Sequence, residues 1–390
     1  GAAAPQASET PAPEGRWLGA GLEAAPAQRN FTAFHYDAGE GAFSFRLAYE
    51  GYTEVRGAFE TPALLLAFTP DPYAGLAEYV GRLGLPAPAH PKAGWWLEPI
   101  QCGWGAQCSL ANRQGGRAPD LCTQANYDGF LRALEAEGLR PGTLVIDDKW
   151  SASYGTCAVD RAKWPDLEGW IAARQAQGQR VLLWWKAWDP EGLDPEECVR
   201  DGLGQPVAAD PSNPRYEATL RQAVRRMLLE YGADGFKVDF SARTPSGPGL
   251  RRHGPEWGVG LLHKLLWILY DEAKRCKPDA LVMTHTPNPY FSDVTDMIRL
   301  NDVNTGADVL AQMVHRAKVA RAACPHLLID TDNWPMPSLG AWREYTRLQP
   351  ELGIPSLYFA THVDSGEALT PEDYALVRAA WARHRKGTKA

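Results

Sequence analysis

The stretch GADGFKVDFS, Gly232 to Ser241, alternates apolar Phe236, Val238 and Phe240 with charged Lys237 and Asp239. Alternation with a period of two marks a β-strand and puts Lys237 and Asp239 on the same side of it. An ammonium and a carboxylate are costly in a dry interior unless they are paired or take part in chemistry. The fold must therefore cover one face of this strand with apolar packing and open the other, at its C-terminal end, onto a polar site. Parallel strands covered by helices do this.

Working outward, short apolar runs of the same kind recur along the chain. They are WWLEPIQCG (Trp95–Gly103), TLVIDD (Thr143–Asp148), RVLLWWKAW (Arg180–Trp188), GFKVDF (Gly235–Phe240), ALVMTH (Ala280–His285), DMIRLND (Asp296–Asp302), HLLIDTD (His326–Asp332) and SLYFATHVD (Ser356–Asp364). Helical periodicity lies between them, as in Asn126–Gly138, Tyr216–Tyr231, Trp257–Lys277, Gly306–Ala323 and Pro371–Arg385. Eight such units predict an α/β fold, a (β/α)8 TIM barrel. The competing arrangement, a doubly wound open sheet, calls for a glycine-rich phosphate turn after its first strand, and CGWGAQC is not GxGxxG.

The chain ahead of the barrel reads differently. Residues 1–15 are Ala/Pro-rich and predict a linker or disordered tail. Residues 16–90 predict a small, partial β module, with strands at Ala42–Tyr49, Tyr52–Phe59 and Pro62–Phe68 and a helix at Ala74–Gly84. The proline-rich LPAPAHPKAG (Leu85–Gly94) marks a joint, and residues 91–390 form the catalytic barrel.

A net charge of −7 with interspersed signs argues against nucleic acid as the main partner, because phosphate binding needs a basic surface. No apolar run is long enough to span a membrane. The expectation is a soluble protein, cytoplasmic or secreted after processing, with self-association left open. Fifteen tryptophans hint at carbohydrate, because the flat indole face stacks on sugar rings. Seven cysteines include no CxxC pair, so zinc is not indicated; they read as buried thiols or as disulfides tying loops. No metal or organic cofactor is implied.

In a TIM barrel the chemistry sits at the C-terminal ends of the strands. Those ends here carry Cys102 and Trp104, Asp147 and Asp148, Lys186 and Trp188, Lys237 and Asp239, His285, Asn301 and Asp302, Asp330 and Asp332, and His362 and Asp364. A lysine two residues before a carboxylate favours its ionised form, which suits a nucleophile. Two carboxylates in unlike environments are what glycoside hydrolysis requires. Each acid also has a structural explanation: Asp239 as an ion-pair partner or cap, Asp302 as a cap for the helix near Gly306, and Asp147 with Asp148 as a turn.

Three motifs resemble the clan D glycoside hydrolases, the α-galactosidase group, and most closely glycoside hydrolase family 36. VIDDKW (Val145–Trp150) resembles the acid pair of the second strand, FKVDF (Phe236–Phe240) the KxD strand, and RLNDV (Arg299–Val303) the arginine-containing motif of the sixth. The resemblance covers roughly Trp95 to Asp364. It implies a retaining exo-hydrolase of terminal α-galactose, with Asp239 as nucleophile and Asp302 as acid/base. It further implies that Asp147 and Asp148 bind sugar hydroxyls, that Lys237 contacts the sugar and Asp239, and that Arg299 orients Asp302. Trp104 is a candidate stacking platform; His285 joins the substrate-binding set, although His285, His253 and His362 each read more readily as structural or supporting residues than as catalytic ones.

The departures from the family pattern are Lys149, where a glycine usually follows the acid pair, and Lys186, where an acidic stretch is common. Lys186 enters the substrate-facing set as a residue that shifts specificity. SDVTD (Ser292–Asp296) makes Asp293 and Asp296 rivals of Asp302. Related sugars (α-N-acetylgalactosaminides, α-glucosides), transglycosylation and a non-catalytic sugar-binding barrel are the alternatives.

Overall fold

The computed structural model describes residues 17–39, 41–85, 90–303, 306 and 308–388. The tail expected over 1–15 lies outside them, as does the centre of the proline-rich joint.

The N-terminal module consists of β1 (Trp17–Glu23), β2 (Ala33–Gly39), β3 (Ala42–Ala48), β4 (Ala63–Thr69) and α1 (Pro72–Leu83). β1 pairs antiparallel with β4, and β2 with β3. The strand expected over Tyr52–Phe59 does not form; that segment is irregular. Its aromatic side chain turns to the barrel instead: the Tyr52 ring lies 5.3 Å from that of Trp257, and its hydroxyl accepts from Leu250 N at 2.9 Å. The module is docked by backbone bonds from Val259 N to Phe31 O (2.9 Å) and from Gly260 N to Arg29 O (3.0 Å).

The barrel follows as β5 (Ile100–Cys102), α2 (Trp104–Gln114), α3 (Gln124–Ala136), β6 (Thr143–Ile146), α4 (Leu167–Ala176) and β7 (Arg180–Lys186). A short antiparallel pair, β8 (Cys198–Arg200) and β9 (Pro206–Ala209), interrupts it before α5 (Pro214–Arg225) and β10 (Gly235–Asp239). Then come α6 (Gly258–Cys276), β11 (Leu281–Thr284), β12 (Met297–Arg299), α7 (Val309–Ala323), β13 (Leu328–Asp330), α8 (Leu339–Leu352), β14 (Ser356–Leu357) and α9 (Pro371–Gly387).

The eight-stranded sheet runs β13-β12-β11-β10-β7-β6-β5-β14, with every pairing parallel. A parallel bridge from Asp330 to Ile354 brings its two ends together. The eight apolar runs of the sequence are these eight strands. Phe236 and Val238 pack outward with Leu220, Leu265 and Leu269 of the surrounding helices, all fully buried. Truncating Phe236 to alanine in such a site costs about 3–5 kcal/mol. Gly235 has φ 154°, and a Cβ there would strike the Leu281 backbone, so only glycine lets β10 approach β11 this closely.

Period two turns Lys237 and Asp239 inward, level with Trp184 and Lys186 of β7. Among the described residues no helix is long and apolar enough to cross a membrane. All seven cysteines are free thiols, which removes the disulfide alternative.

Candidate active site

Backbone strain gathers where the strands end. Trp188, Phe240 and Asp332 each have positive φ (71°, 60° and 34°) and follow β7, β10 and β13. L-residues rarely adopt this conformation, and such strain clusters at functional sites. At Phe240 the turn lets its amide donate to Asp239 Oδ1 at 2.8 Å.

The centre of the rim is Arg299, at the end of β12 and 2% exposed. Its Nη2 lies 3.3 Å from Asp239 Oδ1, and its Nη1 lies 3.3 Å from Asp302 Oδ1 and 2.8 Å from Asp332 Oδ2. One guanidinium thus gathers three carboxylates from β10, from the β12 exit and from the β13 exit. Trp184 Nε1 donates to the other oxygen of Asp239 at 3.2 Å. Burial opposes ionisation of Asp239, but Arg299 and then Lys237 outweigh it and hold the carboxyl below its ordinary range. Asp302 is the open member, with 56% of its side chain exposed. It does not cap α7, whose N-cap is Asp308; its own carbonyl accepts from Arg316 Nη1 at 2.8 Å.

Lys237 makes a different contact from the one expected. Its Nζ donates to Asp147 Oδ2 at 2.7 Å and lies 3.4 Å from Cys102 Sγ, and it reaches Asp239 only through space. Asp239 is two positions farther along the strand, one layer nearer the mouth, so the ammonium meets the acid of β6 first. Asp147 also accepts from Cys102 Sγ at 3.0 Å, and its amide donates to the Tyr127 hydroxyl at 2.8 Å. Tyr127 reaches that amide across Gly103, where a Cβ would collide with the ring.

Asp148 points to the Tyr154 hydroxyl (2.7 Å), and burial pushes its carboxyl up to about 6 against that hydrogen bond. Lys186 pairs with Asp189 at 2.7 Å and lies 4.1 Å from the Tyr154 ring centroid. Lys149 pairs with Glu191. Both departures from the family pattern therefore form one wall around Tyr154. Trp104 meets Trp334 edge-on, 5.7 Å between centroids. His285 Nδ1 is 3.9 Å from Asp239 Oδ1; burial and then Arg299 push the imidazole down to about 4.

The two rivals of Asp302 lie elsewhere. Asp296 precedes β12, at the N-terminal end of the barrel, buried against Lys274 (2.7 Å), the Tyr270 hydroxyl (3.0 Å) and Val282 N (2.8 Å). Asp293 is 55% exposed and paired with His263 at 3.0 Å. It lines a cleft of about 860 Å³ between the N-terminal module and α6. Four of its charged groups pair as His263 with Asp293 and Lys264 with Glu256, and its Arg29 lies over the Tyr290 ring, 4.1 Å from the centroid.

Sequence reasoning placed Asp332 among the rim residues but gave it no role. It is fully buried, accepts from the Tyr358 hydroxyl at 2.9 Å and from Trp334 N at 3.0 Å, and burial pushes it up to about 7 against the pull of Arg299. The run HLLIDTD, ending in two acids, was the available signal.

No family model matches the chain, and no curated protein is similar to it in sequence. Solved structures are similar in fold. An α-galactosidase from Thermus thermophilus, in complex with p-nitrophenyl α-D-galactopyranoside, is 20% identical with a TM-score of 0.63, over 95% of this chain and 74% of that one. A cycloalternan-degrading enzyme from Trueperella pyogenes is 14% identical with a TM-score of 0.64, over 96% of this chain and 58% of that one. The same enzyme with a covalent intermediate aligns at 15% identity and TM-score 0.59, over 84% of this chain and 50% of that one. The chain shares the barrel fold of these glycoside hydrolases, among which an α-galactosidase stands beside an enzyme that degrades cycloalternan.

Proposed function

We propose that the protein is a retaining exo-glycoside hydrolase that removes terminal α-linked galactose. The observation that carries this reading is the bridging of Asp239 and Asp302 by the single guanidinium of Arg299 at the C-terminal rim of the barrel. Retention requires two carboxyls about 5–5.5 Å apart; the shared guanidinium brings Asp239 and Asp302 to one site, and the configuration of the released sugar tests that spacing.

In this reading Asp239, held ionised, attacks the anomeric carbon as the glycosidic bond breaks. Asp302 delivers a proton to the leaving oxygen, and a glycosyl ester forms on Asp239. Asp302, now a carboxylate, takes a proton from water, which attacks the same carbon and frees Asp239. Trp184 and the Phe240 amide hold the two Asp239 oxygens so that the attacking lone pair keeps its direction. Asp147 and Asp148 bind sugar hydroxyls from β6, with Lys237 Nζ donating to Asp147 Oδ2 at 2.7 Å. Neutral His285 packs beside the nucleophile without competing for its charge.

The wall of Lys186, Tyr154 and Lys149 favours a second reading, an α-glucoside in place of galactose, because it alters the side of the pocket next to Asp148. Hydrolysis of chromogenic α-galactoside, α-glucoside and α-N-acetylgalactosaminide under one set of conditions tests both. Galactoside turnover with a product of retained configuration is expected, preference for the glucoside selects the second reading, and inertness toward all three removes the proposal.

A further inference from the structure

The Nη1 nitrogen of Arg299 serves two acceptors. It is 2.8 Å from Asp332 Oδ2 and 3.3 Å from Asp302 Oδ1. The shorter contact goes to a carboxyl with no exposure, and the longer one to an acid with 56% of its side chain in solvent. Asp332 is itself fixed. Its second oxygen accepts from Trp334 N at 3.0 Å, its Oδ2 also accepts from the Tyr358 hydroxyl at 2.9 Å, and its carbonyl accepts from Asn301 Nδ2 at 3.4 Å.

We propose that Asp332 is a positioning residue: it anchors Arg299 away from Asp302 and so leaves Asp302 free to give and take a proton. This rests on the reading of Asp302 as the acid/base. A guanidinium drawn fully onto Asp302 would stabilise the carboxylate and weaken the acid. Asp332 prevents this by holding the shared nitrogen at the shorter distance.

The charged and titratable groups around Asp332 do not supply the same effect. Arg299 on β12 is the shared cation, and Lys237 on β10 is committed to Asp147. Asp330 on β13 accepts from Ser356 Oγ on β14. Asp302, Arg316 of α7, Tyr345 of α8 and Tyr358 beyond β14 complete the surroundings. Among the described residues only Asp332 sits on the same Arg299 nitrogen as Asp302.

The test is a carboxyl-carbon NMR titration of the full chain, with the Asp302 signal identified by its loss in Asp302→Asn. In Asp332→Ala, which removes the acceptor from Arg299 Nη1, the Asp302 midpoint should fall by about one pH unit. An unchanged or raised midpoint in folded protein overturns the inference. Should Asp332→Ala fail to fold, Tyr358→Phe decides: removing the hydroxyl that steadies the Asp332 carboxyl should lower the Asp302 midpoint by a smaller amount, and no shift overturns the proposal. The titration needs no turnover, so inertness of the wild type would sink the hydrolase reading while leaving this one decidable. In an active enzyme the alkaline limb of kcat/KM should move to lower pH in Asp332→Ala, with poor leaving groups losing about 10-fold more than activated ones.

Discussion

The two ends of the barrel both bury charge, and they do so differently. At the N-terminal end Asp296 is enclosed by Lys274, Tyr270 and Val282 N, and Asp234 by Arg180, Gln175 and Val181 N. Each acid there has a matched set of donors. At the C-terminal end three carboxylates share one guanidinium, Arg299 Nε and His285 Nδ1 make no hydrogen bond among the described residues, and the backbone is strained at Trp188, Phe240 and Asp332. A closed pair is architecture, since breaking it leaves a buried charge with nothing to oppose it. An over-subscribed cation beside an exposed acid is poorly suited to architecture and well suited to moving protons.

Asp239→Ala should break the contrast most sharply. Turnover of the preferred glycoside is expected to fall by about 10⁴-fold or more, with circular dichroism unchanged. Added azide should return product of inverted configuration; wild-type turnover in this variant would move the nucleophile elsewhere. Asp302→Ala comes next. It should cost about 10²–10⁴-fold on substrates with poor leaving groups and far less on activated aryl glycosides, as read from a leaving-group series. Equal losses across the series would deny it the acid role.

The other end should respond in the opposite currency, that of stability. Asp296→Asn leaves Lys274 buried against a neutral amide and should cost about 3 kcal/mol in a denaturant melt. Its kcat/KM, corrected for folded fraction, should stay at the wild-type value, and an Asp302-like loss on poor leaving groups would make Asp296 the acid/base. Asp293→Ala removes an exposed pair and should change stability by less than about 1 kcal/mol and activity not at all. His285→Gln is the mildest change at the rim. Because the imidazole is held neutral, with its titration pushed down to about 4, the pH profile between about 5 and 8 should keep its shape.

Much of this was legible in the chain. All eight staves read as apolar runs because parallel strands are buried on both faces, and the polar or charged residues closing most of them mark the mouth. Period two placed Lys237 and Asp239 inward correctly. It could not say whom Lys237 meets, because its partner Asp147 belongs to the neighbouring motif and the choice depends on height within the barrel. Asp332 was visible as a rim acid but not as a member of the Arg299 cluster, since β12 and β13 meet only in three dimensions. Tyr52–Phe59 shows the opposite failure: its local pattern suits a strand, but tertiary contacts to Trp257 override it.

Covalent trapping tests the central claim most directly. Incubation with the 5-fluoro-α-glycosyl fluoride of whichever sugar the enzyme hydrolyses, followed by peptide mass mapping, should add one fluorosugar to Asp239. A sugar found on any other residue would contradict the account.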